Sequence, residues 1–134
     1  VSYARAQQPV RKPVHLFRSA DAAWLWCAAQ LLARRDGRPP RADLSEGGAR
    51  RPCTPDDILM VMDRLHRQGR ITMDQARVLR AYGDLQRSPS PAMIGEDEDW
   101  RKWRGAMCAL REALVARGIV AAQRPRNRVA GRRG

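Results

Sequence analysis

The stretch from Asp99 to Val120, DWRKWRGAMCALREALVARGIV, constrains the fold more than any other part of the chain. Trp100, Trp103, Met107, Leu110 and Leu114 recur at intervals of three, four, three and four residues. That is the period at which one face of an α-helix meets a core. Ala106, Ala113 and Val115 widen the stripe. Asp97, Glu98 and Asp99 place negative charge where the first helical amides lack an intrahelical acceptor. Gly118 suits the left-handed position just past a helix, and Arg117 suits the negative end of its dipole.

The same signals predict three further helices. Ser19 is a good N-cap with Asp21 in the first turn, and Trp24, Cys27, Ala28 and Leu31 form one face, widened by Leu25 and Leu32. Trp24 and Trp26 lie on nearly opposite sides of this helix, so one is expected in the core and Trp26 at a groove or interface. Asp36 and Gly37 end the helix, and Pro39 and Pro40 forbid its resumption. A second helix starts at Thr54-Pro55-Asp56-Asp57, with Thr54 as cap and Pro55 where a missing amide costs nothing. Ile58, Val61, Met62 and Leu65 make its core face, Leu59 extends it, and Gly69 closes it. Thr72-Met73-Asp74-Gln75 then reads as a capping box opening a third helix. Ala76, Val78, Leu79 and Tyr82 form its buried side, with Ile71 stapling onto Ala76 and Arg77 and Arg80 outward. The predicted core is Trp24, Ala28, Leu31, Ile58, Val61, Met62, Leu65, Leu79, Tyr82, Trp103, Met107, Leu110 and Leu114.

The expected class is therefore all-α, with four main helices and at most a small hairpin at the C-terminus. Residues 1–18 read as a basic arm, extended or disordered, with Val14, Leu16 and Phe17 available to dock on the body. Residues 19–134 read as a single helical domain. Residues 37–51 form a loop long for a compact domain, so it either binds something or moves. Residues 87–98 form a Pro-rich, then acidic, loop. Past Gly118 come Ile119 and Val120, then a basic segment.

A net charge of +12 sets the choice of partner. Only Lys12 and Lys102 are lysines; the other basic residues are arginines. A GC-rich genome explains the ratio of Arg to Lys, but not the excess of positive charge, which favours a polyanion. Cys27, Cys53 and Cys108 form no Cys-x-x-Cys pair. Cys27 and Cys108 fall within apolar helical stretches and are expected as buried small side chains, which suits a reducing cytoplasm. No apolar run suits a membrane span, and the N-terminal residues lack the apolar region of a secretory signal. His15 and His66 stand in no metal-ligand spacing with the cysteines, and His66 sits where it can bond the last carbonyls of its helix. The acidic pairs fall at helix starts, and no Gly-rich phosphate loop is present. The sequence thus predicts neither an enzyme nor a bound metal or cofactor.

The order of these pieces carries a resemblance. ITMDQARVLRAYGD and CALREALVARGIV are similar to the second helix and the recognition-helix-plus-strand of MarR-like winged helix-turn-helix regulators, over residues 54–134. The resemblance implies a bacterial DNA-binding regulator, and a wing whose strands would be residues 119–122 and 128–131, with Arg124, Pro125, Arg126 and Asn127 at its tip. It departs from the family pattern in residues 86–98, where the family has a short helix. Glu112 also shares the face of Arg101, Lys102, Arg104 and Arg111. These departures favour phosphate contact over base-specific readout. The expected contacts are Arg101, Lys102 and Arg104 at a major groove, and Arg77 and Arg80 on the flanking backbone. Arg124, Arg126 and Arg128 are assigned to the wing or tail, with Arg132 and Arg133 behind them. The reading is a sequence-tolerant or regulatory binder of duplex DNA, cytoplasmic or nucleoid-associated, either monomeric or a homodimer. The competing reading is a non-enzymatic adaptor, or a small subunit of a larger, RNA-containing assembly, docking through Trp26 and residues 37–51.

Overall fold

The structure, a computed structural model, describes residues 13–38 and 50–122. Four helices make up the body: α1 (Ala20–Arg35), α2 (Pro55–Arg67), α3 (Met73–Leu85) and α4 (Asp97–Ala116). All-α is the class the described residues show, and no helix among them is long and apolar enough to cross a membrane.

Local chemistry sets the helix starts. The Ser19 hydroxyl accepts the Ala22 amide at 3.0 Å. Thr54 and Asp57 form a reciprocal capping box, the Thr54 amide donating to Asp57 Oδ2 at 2.8 Å and the Asp57 amide to Thr54 Oγ1 at 3.3 Å. Thr72 and Gln75 repeat the device at 2.8 and 3.1 Å. Each box satisfies amides that would otherwise lack acceptors. α3 ends on Gln86, a non-glycine residue at φ 60°. Its side chain answers that strain by donating to the carbonyls of Gly83 (2.8 Å) and Leu25 (3.2 Å).

α1 and α4 form the middle of the molecule. Each packs on the other and on both α2 and α3, whereas α2 and α3, though consecutive, barely meet. Trp103, Ile58, Leu79, Leu110 and Leu114 are almost wholly buried at the centre. Polar atoms of the large rings find partners. The Trp24 indole donates to the Leu79 carbonyl (2.9 Å), the Trp103 indole to Asp21 Oδ2 (2.7 Å), and the Tyr82 hydroxyl to Asp99 Oδ2 (2.8 Å).

The expected core is buried except at two residues. Leu31 and Met62 are only half-buried, because the separation of α2 from α3 leaves them in a cleft. Trp100 is half-buried as well. Cys108 is exposed rather than buried, since it falls on the solvent side of α4. Trp26 packs its ring 5.1 Å from that of Phe17, at 53°. His66 Nδ1 reaches the Ile71 carbonyl at 2.9 Å, beyond the helix end, tying the α2–α3 connection.

A seam of extended chain completes the core. Past Gly118 (φ 73°) the chain reverses, and Ile119 and Val120 drop into the interior at 5% and 1% exposure. Phe17, 2% exposed, lies beside them. The Phe17 amide donates to the Ile119 carbonyl and the Ala121 amide to the Phe17 carbonyl, both at 2.9 Å, a parallel pairing. On its other edge the same segment pairs with Arg50 through Val14. Phe17 is thus part of the body rather than of an arm, while Val14 and Leu16 stay exposed. Of the expected wing, residues 119–120 pair with Phe17, and the second strand, 128–131, lies outside the described residues.

Candidate nucleic-acid interface

The basic residues expected from sequence divide into four groups. Arg101 and Lys102 are matched one turn back on α4 by Asp97 (3.2 Å) and Glu98 (3.6 Å), so this end of the helix carries little net charge. Arg77 pairs with Asp74 at 3.4 Å, and Arg80 makes no ion pair among the described residues; both border a cleft between α1, α2 and α3 rather than the exposed face of α4. Arg104 has no carboxylate partner among the described residues and lies 5.6 Å over the half-buried Trp100 ring. Arg124, Arg126, Arg128, Arg132 and Arg133 lie outside the described residues.

The structure adds three arginines around Arg104. Arg111, two turns further along α4, is on the same side as Arg104 and Cys108. It too has no carboxylate partner among the described residues. Together with Trp100 these side chains border a cleft of about 320 Å³ whose opposite wall is the first turn of α1, Ser19 to Asp21. Asp21, the acid in this cleft, accepts the Trp103 indole N–H. A second cavity by α1 is lined by Arg18 and Arg51 together with Leu16, Phe17 and Ala22. Arg51 stacks its guanidinium 4.3 Å above the Phe17 ring and donates to the His15 carbonyl at 3.3 Å. Its Nε is buried without an acceptor.

Arg18, Arg51, Arg104 and Arg111 therefore surround the positive end of the α1 dipole. The sequence named Arg111 only as part of the α4 face, although its place seven residues after Arg104 was a usable signal. Arg18 stands one residue before the Ser19 cap, a usable signal too, whereas Arg51 carried none, because only the seam of residues 13–17 brings it to α1.

The Arg104 and Arg111 guanidiniums, a half-exposed indole and a helix N-terminus offer N–H donors and positive charge, the donor set that planar forks present to phosphate oxygens. Burial pushes the Cys27 thiol up to about 12 and the Cys53 thiol up to about 11, so neither is a thiolate at neutral pH. Among the described residues, no group of three or more His, Cys, Asp or Glu side chains could hold a metal ion. Comparison with models of protein families, with curated proteins and with solved structures gave no match.

Proposed function

We propose that this chain is a non-enzymatic nucleic-acid-binding protein that holds the phosphate backbone, preferably of duplex DNA, on the arginines around the first turn of α1. The observation that carries the reading is the gathering of Arg104 and Arg111, with no carboxylate partner among the described residues, opposite that turn, with Arg18 and Arg51 lining a neighbouring cavity by the same helix. The exposed face of α4 suits the major groove of B-DNA, about 12 Å wide, better than the narrow, deep major groove of A-form RNA. Trp100, under Arg104, supplies an aromatic edge for a base or sugar. The five arginines of residues 123–134 would add sequence-independent contacts from the chain that follows Val120, in a wing or as a tail. With Arg101 and Lys102 neutralised in place, the reading favours backbone binding with weak sequence preference, and a regulator of the winged-helix type is its more specific form.

The test is a salt titration of binding to duplex DNA, single-stranded DNA and structured RNA of equal length. If about six phosphates are neutralised, log affinity falls with log salt at a slope of about −5 for duplex DNA. The Arg104→Ala, Arg111→Ala double variant should reduce that slope by roughly 2. Equal, weak binding to all three nucleic acids at physiological salt, or a slope unchanged by the double variant, overturns the reading.

A further inference from the structure

The cleft beside the first turn of α1 has a shape that contact with a fully paired backbone does not require. The phosphates of a duplex lie on its outside, where side chains on a convex face can meet them. Arg104 and Arg111 instead border a hollow of about 320 Å³, at the lower end of the range of sites that enclose a small ligand. Ala20 at the start of α1 and Trp100, Trp103 and Met107 on α4 give it apolar walls.

Charge and ring geometry narrow the occupant. Two guanidiniums without a carboxylate partner among the described residues line the hollow, against one carboxylate, Asp21, which is engaged by the Trp103 indole at 2.7 Å. The surplus is one positive charge, the complement of a single phosphodiester. Trp100 is half-buried and lines the hollow with the remainder of its ring. The Arg104 guanidinium lies 5.6 Å from the centre of that ring, wider than the separation of about 3.4 Å between stacked bases. The ring is therefore not already covered by a tight stack. Arg104 is exposed, so its side chain can swing to admit a flat base, and both indole and guanidinium planes stack on bases.

We propose that this hollow takes one unpaired nucleotide, unstacked from a DNA duplex, with its base on Trp100 and its phosphate on Arg104 and Arg111. The inference rests on the phosphate reading and deepens it: the preferred partner is a duplex interrupted by an unpaired nucleotide rather than a perfectly paired one. A paired base has to be pulled from the stack before it can enter, and a nucleotide that is already unpaired removes most of that cost.

Binding is measured to three duplexes of equal length at one salt concentration: fully paired, with one central unpaired adenine, and with an unpaired abasic nucleotide in its place. Circular dichroism confirms the helix content of each variant. The unpaired adenine should tighten binding at least about fivefold over the paired duplex, and the abasic nucleotide should not. Trp100→Leu, which keeps an apolar side chain but no aromatic face, should abolish that preference and leave affinity for the paired duplex unchanged; Trp100→Phe should retain most of it. At saturation the adenine-bearing duplex should also shield Cys108, on the cleft wall, from a thiol reagent more than the paired duplex does. Equal affinity for the three duplexes, equal weakening of all three by Trp100→Leu, or equal labelling of Cys108 overturns the inference. The phosphate reading survives that result if the paired duplex still binds and the Arg104→Ala, Arg111→Ala double variant still lowers the salt slope. Absence of binding to any of the three overturns both.

Discussion

Replacing Gly83 by Ala sets two opposed energies against each other at the crossing of α1 and α3. Alanine gains about 0.8–1.0 kcal/mol over glycine in a helix interior. At this site, however, the new Cβ would stand 3.0 Å from Ala28 Cβ and 3.3 Å from Trp24 Nε1. Carbon atoms prefer about 3.5–4.0 Å, and an alanine Cβ cannot rotate away, so α1 and α3 must move apart by a few tenths of an ångström. Overpacking of this kind costs about 1–3 kcal/mol. The shift also strains the bond from the Trp24 indole to the Leu79 carbonyl, worth about 0.5–1.5 kcal/mol net. The expected balance is destabilisation by about 1–2 kcal/mol. Gly105→Ala is the control. Its Cβ would meet only Gln75 Nε2, at 2.6 Å, the far end of a flexible side chain. Gln75 can swing aside at the expense of the exposed Thr72 amide bond, which offsets the helical gain and leaves stability within about 0.5 kcal/mol of wild type. Urea unfolding followed by far-ultraviolet circular dichroism, with equal m-values, measures both. A Gly83→Ala variant at or above wild-type stability would refute the packing argument.

Two further outcomes follow from the same geometry. A thiol reagent should modify Cys108 in the native protein and reach Cys27 only on unfolding, because Cys27 has no exposed surface and its thiol is pushed up to about 12; native labelling of Cys27 at the rate of Cys108 would contradict this. Glu96 is held below the ordinary carboxylate value of 4.5 by its bonds from Arg87 and then from the Ser90 amide. A depressed folded-state value means stability that is fully present above the unfolded pKa and is lost as pH falls through the folded one. Urea melts of wild type and Glu96→Gln should therefore differ most at neutral pH and converge on acidification, and a pH-independent gap would count against the tie.

What the sequence made legible was local. Caps at Ser19, Thr54 and Thr72 and the α4 stripe are patterns complete within a few residues, and the four helices start where these signals stand. Leu31 and Met62 obey the same periodicity as their buried neighbours, so the pattern could not reveal that α2 and α3 would part over them. Phe17, Ile119 and Val120 obey no period, and their burial depends on segments far apart in the chain. The site divides in the same way. The neutralisation of Arg101 and Lys102 was readable from the i,i+4 spacing of Asp97 and Glu98, and Arg111 from its distance to Arg104. Arg18 was readable from its place one residue before the Ser19 cap, whereas Arg51 was not, because only the folded seam brings it near α1's first turn.

That seam also dictates an order of events. α2, α3 and their connection are close in sequence and can form early, but the interior stays open until Ile119 and Val120 arrive beside Phe17. The first apolar segment of the body therefore has to wait for the last. During synthesis the Phe17 ring does not reach its full burial until almost the whole body has emerged, which lengthens the interval in which the chain is vulnerable to aggregation. A protein built from four short-range helices thus acquires a slow, long-range closing step more typical of sheet topologies.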